Sequence, residues 1–292
     1  MISMAKNRRN ARGFTLVELT ITIVLSTIVI GFMAVFIAGP VASYNDQTRR
    51  AELVDLAENS LRRISRDIRR ALPNSVRLNV SGSVMALELL STVDGARYRD
   101  RPPPGDPSKR LRFTAADDAF NGIGGFPNIA LPFSSNNHYL SIYNVGVPGA
   151  DAYELANVIT PPGTQIDIDS DSIPGEDNVR LSPAFRFAFA SPGQRVFLVD
   201  GPVAYLCDHS AGSLVRYSNY TIAADQADRD SATELLAAGA DATLIANRVS
   251  SCNMAYAPGT AQRAGLVSIA LAVSDTGETV SLLHQVHVDN VP

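Results

Sequence analysis

Glu18 is the only ionisable residue in an apolar run that extends from Phe14 to about Ala38. A charge held at mid-bilayer costs roughly 2.5–3.5 kcal/mol on insertion scales, so a carboxylate kept there marks a function rather than a packing choice. In the first turns of a helix the macrodipole would favour that anion. Gly13 stands immediately before Phe14, at the junction with a basic leader.

Elsewhere the chemistry is sparse. Asp167, Asp169, Asp171, Glu176 and Asp177 fall close together, with Ser170, Ser172 and Gly175 between them. Carboxylates alternating through a turn can wrap a hard cation, so calcium is the candidate ligand. The bland reading is a solvated acidic turn, because Ile173 follows Ser172 and no EF-hand glycine or terminal glutamate is in place. His284 and His287 are three apart, which on a strand puts them on opposite faces, so ordinary surface histidines are the better reading. No nucleophile elbow, Walker loop or His-Glu-x-x-His sequence occurs, which leaves no catalytic residue and no other cofactor to assign.

Two elements must position Glu18. The first is the leader, Met1–Gly13, with Lys6, Arg8, Arg9 and Arg12 and no acid. The second is the run Phe14–Gly39, whose 26 residues make a helix of ~39 Å, enough to cross a ~30 Å hydrocarbon core with some tilt. The charge asymmetry keeps the leader in the cytoplasm and sends the body outward. A cleavable signal peptide would have a shorter apolar region and a small-x-small cleavage site. A plain membrane anchor explains neither Glu18 nor the glycine before Phe14.

The sequence Gly13-Phe14-Thr15-Leu16-Val17-Glu18-Leu19 resembles the processing site of type IV prepilins and the pseudopilins of type II secretion. The resemblance implies that prepilin peptidase cuts after Gly13 and N-methylates Phe14. It also implies that Glu18 pairs with the N-terminal amine of a neighbouring subunit during assembly. Such a pair offsets part of the cost of leaving either charge alone in an apolar interior. The implied partners are prepilin peptidase, the major pilin, other minor pilins and the bacterial inner membrane.

Pro40 interrupts the run and predicts a kink in a helix that then resumes. From Leu53 the apolar residues Leu53, Leu56, Ala57, Leu61, Ile64, Ile68 and Leu72 recur at three- and four-residue steps, one stripe of an amphipathic helix. The opposite face holds Arg62, Arg63, Arg66, Asp67, Arg69 and Arg70, a solvated face or a partner surface. Asp46/Arg50, Glu58/Arg62 and Arg63/Asp67 are spaced for i,i+4 pairs. Pro73 disfavours helix at Leu72. One helix over 14–72, in a membrane half to 39 and an amphipathic half over 40–72, is therefore predicted.

Beyond Pro73 the pattern is that of strands bounded by Gly, Pro, Asp and Asn. Strands are expected near Val84–Leu90, Arg110–Phe113, Tyr139–Val145, Phe185–Phe189, Val196–Val199, Val203–Cys207, Leu214–Ile222, Cys252–Tyr256, Leu266–Val273 and Thr279–Val288. Asp200-Gly201 and Asp275-Thr276-Gly277 are read as hairpin turns. A helix over Ser231–Ala238 should be capped by Asp230 or Ser231. Residues 100–109 and 117–137 read as loops. The fold class is α+β, a long N-terminal helix packed on a mainly antiparallel β-sheet head spanning 73–292.

The chain has 292 residues, long enough for a real core, and 18% of them are charged. Its net charge is −4; removing the leader's four cations from 25 leaves 21 against 29 acids, or −8. An acidic body argues against nucleic acid. Two cysteines in an exported domain, Cys207 and Cys252, are expected to meet as a disulfide.

The stretch from Ser191 to Asp208, S-P-G-Q-R-V-F-L-V-D-G-P-V-A-Y-L-C-D, resembles the MshO-type minor pilins of MSHA pilus biogenesis, as do Arg49–Arg77, Ala246–Tyr256 and the C-terminal Leu266–Pro292. Residues 100–164 do not share the likeness. The C-terminal pattern is also loosely similar to PilW-like minor pilins and to the J-type pseudopilin of type II secretion. The resemblance implies a filament subunit near the tip, with a type II secretion pseudopilin or a pilus-displayed adhesin as the alternatives.

Overall fold

The computed structural model describes residues 13–260 and 263–292. The leader's cations Lys6, Arg8, Arg9 and Arg12 lie outside the described residues. The chain divides between Glu52 and Leu53 into two compact units.

The helix α1 spans Leu16–Arg69, 54 residues, and its assignment continues through Pro40 without a break. It ends three residues before the sequence-based limit. The Leu72 amide donates to the Leu90 carbonyl at 2.7 Å, and Ala71 bridges Ser91, so these residues have already joined a strand. In the first unit the apolar side chains of α1 are exposed, Val35 and Phe36 among the most open.

In the second unit the helical stripe is buried as its spacing predicts. Leu53, Ala57, Leu61, Ile64 and Ile68 are each at most 2% exposed. Full burial of a Leu or Ile side chain contributes roughly 1.5–3 kcal/mol. Asp67 departs from the expected polar face. Its Oδ2 accepts from Tyr205 Oη and Arg216 Nε, both at 2.7 Å, rather than pairing with Arg63. Glu58 and Arg62 do pair.

The head is built from β1 (Arg77–Ser81), β2 (Val84–Tyr98), β3 (Asp117–Ile123), β4 (Phe133–Ser135), β5 (Tyr139–Ser141), β6 (Gln165–Ser170), β7 (Glu176–Phe185), β8 (Arg195–Asp208), β9 (Ser213–Ser218), β10 (Asp241–Ala246), β11 (Val249–Ala257), β12 (Gly265–Asp275) and β13 (Glu278–Val288), with α2 (Ala232–Ala237) between β9 and β10. A ten-stranded sheet runs β10-β9-β8-β2-β3-β7-β6-β4, with β1 added to β2 and β5 to β8. A second sheet runs β11-β12-β13. Every pairing is antiparallel, which makes the fold the expected α+β type. Residues of α1 from Leu53 share one core with Leu87, Leu89, Val203 and Tyr205 of the large sheet and with Val267, Ile269, Leu271 and Val286 of the small one.

The two predicted turns part company. Asp275 faces Glu278 across Thr276 and Gly277, both at positive φ, which is the two-residue hairpin the residues call for. Asp200-Gly201 is no hairpin. Ser91 pairs Gly201 and Thr92 pairs Val199, so Asp200 is an extra residue bulged from the continuous strand β8. Gly201, at φ +135°, is what lets the strand carry on. Arg110–Phe113 forms no strand, only Phe185 of the segment 185–189 is in one, and 117–123 is a strand rather than a loop. The short helix is capped as predicted: Ser231 accepts from the Glu234 amide at 3.3 Å, and Glu234 Oε2 accepts from the Ser231 amide at 3.1 Å.

One ion pair lies deep in the head. Glu88, fully buried in β2, accepts from Arg77 Nε and Tyr220 Oη at 2.7 Å each. Arg77 in turn lies over the Tyr153 ring, 3.5 Å from its centroid. Burial raises the Glu88 carboxyl, and the Arg77 charge opposes it.

Candidate functional site

The N-terminus of α1 is organised around Glu18. The Leu19 amide donates to the Thr15 carbonyl at 3.1 Å and opens the helical ladder. Thr15 is thus the N-cap, and Glu18 is the third helical residue. The Thr15 amide donates to Glu18 Oε2 at 3.0 Å, the Thr15 hydroxyl donates to the same oxygen at 2.8 Å, and the Glu18 amide lies 3.2 Å from Thr15 Oγ1. This is a reciprocal capping box, and it satisfies amides that the first turn would otherwise leave open. Thr15-Leu16-Val17-Glu18 carries its T-x-x-E signature, which reading Glu18 only as an ionisable group misses. Glu18 Oε1 makes no hydrogen bond among the described residues, so one oxygen stays open to an incoming cation. Gly13 and Phe14 are exposed, and an added Cβ at Gly13 would meet nothing within 4 Å.

The apolar run below the cap conceals its own polar groups. The hydroxyls of Thr20, Thr22 and Thr27 donate to the carbonyls of Val17, Leu19 and Ile23 at 2.9, 2.9 and 2.8 Å. These three hydroxyls are satisfied within the segment, as a hydrocarbon medium favours. By length and composition α1 is able to cross a membrane.

The carboxylates of the candidate calcium cluster are spread over two strands and the turn between them. Asp167 and Asp169 lie in β6, Glu176 and Asp177 begin β7, and only Asp171 sits in the turn. Each carboxylate has its own partner. Asp167 accepts from Ser134 Oγ at 2.6 Å, Asp169 pairs Arg180, and Asp171 takes Lys109 Nζ at 2.6 and 2.7 Å. Glu176 takes Arg99 Nε at 3.1 Å and Asn121 Nδ2 at 2.8 Å, and Asp177 takes the Phe126 amide at 2.7 Å. Among the described residues no group of three or more His, Cys, Asp or Glu is placed to hold a metal ion. The Arg99 hydrogen bonds hold the Glu176 carboxyl below its ordinary value. Burial pushes Asp171 up, but Lys109 and the Ile173 amide outweigh it and hold this carboxyl low as well.

The two cysteines do come together. Cys207 is buried in β8 of the large sheet, and Cys252 is half-buried in β11 of the small one. They stand as free thiols in hydrogen-bonding contact. That contact, and then burial, push the Cys252 thiol far up.

Residues 8–34 match the family model described as the prokaryotic N-terminal methylation motif. No curated protein and no solved structure gives a match to the chain. The matched segment contains Gly13, Phe14 and the whole Thr15–Glu18 cap, so the chain carries a type IV pilin-like methylation motif on a helix of membrane-spanning length.

Proposed function

We propose that the chain is a minor pilin or pseudopilin, made with a leader that prepilin peptidase removes after Gly13 before N-methylating Phe14. In this reading residues 14–39 hold it in the bacterial inner membrane, with the head outside the cytoplasm. Glu18 then joins it to a type IV pilus-like filament by accepting the N-terminal amine of a neighbouring subunit. Its role is structural rather than catalytic, and its partners are the peptidase, the major pilin and other minor pilins. The methylation motif over residues 8–34 carries the proposal. The open Oε1 of Glu18 supports it, because a carboxylate already oriented by Thr15 can receive a cation without reorganising.

The finer assignment to an MSHA-type pilus, at or near the tip, rests on the segments 49–77, 191–208, 246–256 and 266–292. A type II secretion pseudopilus is the rival, and the genes flanking this one would separate them. Mass spectrometry of the protein purified from its native host tests the core of the proposal. A chain that begins with N-methylated Phe14 supports it; a chain that keeps Met1, or begins anywhere else, overturns it.

A further inference from the structure

A sheet edge exposes a row of unpaired amides and carbonyls, and proteins normally blunt such rows with short strands, charges, prolines or bulges. The side strands β1 and β5 have five and three residues, and three of the four strands that end the two sheet paths follow that rule as well. The strand β4 has three residues, and β10 begins with Asp241 and slips register between Leu244 and Ala246. The strand β11 slips between Val249 and Ser251, and its Met254 amide is engaged by Met85 Sδ at 2.9 Å.

The fourth, β13, carries a single charge, Glu278 at its turn end, and has no bulge or proline. It pairs with β12 at every residue from Glu278 to Val288 without a shift. From Thr279 to Val288 it holds no Lys, Arg, Asp, Glu or Pro. No strand among the described residues pairs with its other edge. Eleven residues at ~3.4 Å each make an open edge of ~37 Å.

A second, independent feature lies alongside. His284, on the α1-facing side of β13, lines a groove of about 370 Å³ with Arg62, Ser65, Arg66, Arg69 and Arg70. These arginines are exposed. Arg62 is paired with Glu58, and Arg70 Nε donates to the Thr92 carbonyl at 3.3 Å. Arg66 and Arg69 have no carboxylate partner among the described residues. The outward face of β13 is different: Thr279, Ser281, Gln285 and His287 flank Leu283, which is 68% exposed.

We infer that the free edge of β13 and the arginine row of α1 form one docking site for an extended acidic segment of a neighbouring filament subunit. The segment adds as a strand to β13. Its alternate side chains, which face α1, are carboxylates opposite Arg66 and Arg69, and an intervening apolar side chain covers Leu283. Main-chain bonds supply the affinity and the alternating pockets the selectivity, as in other strand additions. The inference rests on the proposed filament role for the existence of a neighbour, not for the shape of the site.

The test uses full-length protein in detergent micelles and a fluorescein-labelled peptide in which Asp alternates with Val and Thr, read by anisotropy at low and high salt. Saturable binding is expected, weakened at least tenfold when Lys replaces Asp or when alternate peptide amides are N-methylated. Double substitution Arg66→Glu and Arg69→Glu should reverse the preference toward the Lys peptide. Absence of binding at millimolar peptide overturns the inference, as does equal binding of the N-methylated peptide, which would reduce the site to a charge effect. Peptide-free homodimers cross-linked through Leu283→Cys would overturn it too, by giving the edge to a second copy. A null result from protein whose mature terminus is Phe14 would remove this inference and leave the filament role standing.

Discussion

Glu18 Oε2 accepts from both the amide and the hydroxyl of Thr15, at 3.0 and 2.8 Å, while Oε1 makes no hydrogen bond among the described residues. The carboxylate at the N-terminal end of α1 is therefore held in one orientation by its own first turn. Two contributions are combined in it. One is local capping, worth on the order of 1 kcal/mol to the helix end. The other, in the proposed filament role, is the offer of a negative charge to a neighbour.

These contributions separate by mutation. Thr15→Ala should fray the first turn but keep the charge, so the subunit still enters filaments at reduced yield. Glu18→Ala should insert into the membrane normally and be lost from sheared filaments, and Glu18→Gln should behave like the alanine variant because it keeps the shape and not the charge. Immunoblots of sheared and membrane fractions measure all three. Equal recovery of Glu18→Ala and wild type would show that the carboxylate has no part in assembly.

The contact between Cys207 and Cys252 joins the ten-stranded sheet to the three-stranded one. Protein exported to an oxidising compartment is expected to carry them as a disulfide, formed by exchange with a disulfide donor that leaves as a dithiol. Cys252, the less buried of the two, should attack the donor disulfide first, and Cys207 should then displace the donor from the mixed disulfide. Intact mass after alkylation without reductant should show no modified cysteine, and two after reduction in denaturant. The loop closed between the two would contribute roughly 3–4 kcal/mol in a chain-entropy account. Cys207→Ala with Cys252→Ala should lower the denaturant midpoint of the oxidised protein by a corresponding amount.

Acid should loosen the β7 end of the head through Glu176. Its carboxyl is held below its ordinary 4.5 in the folded state, first by the Arg99 hydrogen bonds. A depressed carboxyl contributes stability that is complete above the unfolded value and disappears as pH falls through the folded one. Thermal midpoints should therefore drop between about pH 5 and pH 2, and Glu176→Gln should flatten that drop while lowering the midpoint at pH 7. A variant with the same acid limb as wild type would assign the acid sensitivity to other carboxylates.

The long helix, its apolar first half and its buried stripe were legible because they rest on periodicity and local chemistry. The Thr276-Gly277 turn and the Ser231 cap belong to the same class, since each is decided by residues within four positions of one another; the T-x-x-E cap of Thr15 and Glu18 is equally local but is missed when Glu18 is read only for its charge. The second half of the head was also readable, because β11, β12 and β13 alternate apolar and polar residues on a sheet with one face in the core. What tertiary structure alone decided was partnership. Asp67 reads as surface in sequence but turns inward because Tyr205 and Arg216 offer it donors. Asp167 through Asp177 read as one acidic turn, solvated or cation-binding, yet the pairing of β6 with β7 splits them and gives each a separate partner. Asp200-Gly201 reads as a turn, and only the register of β2 against β8 makes it a bulge. The meeting of two cysteines 45 residues apart depends on how two sheets pack, and long-range packing leaves no mark on local residue order.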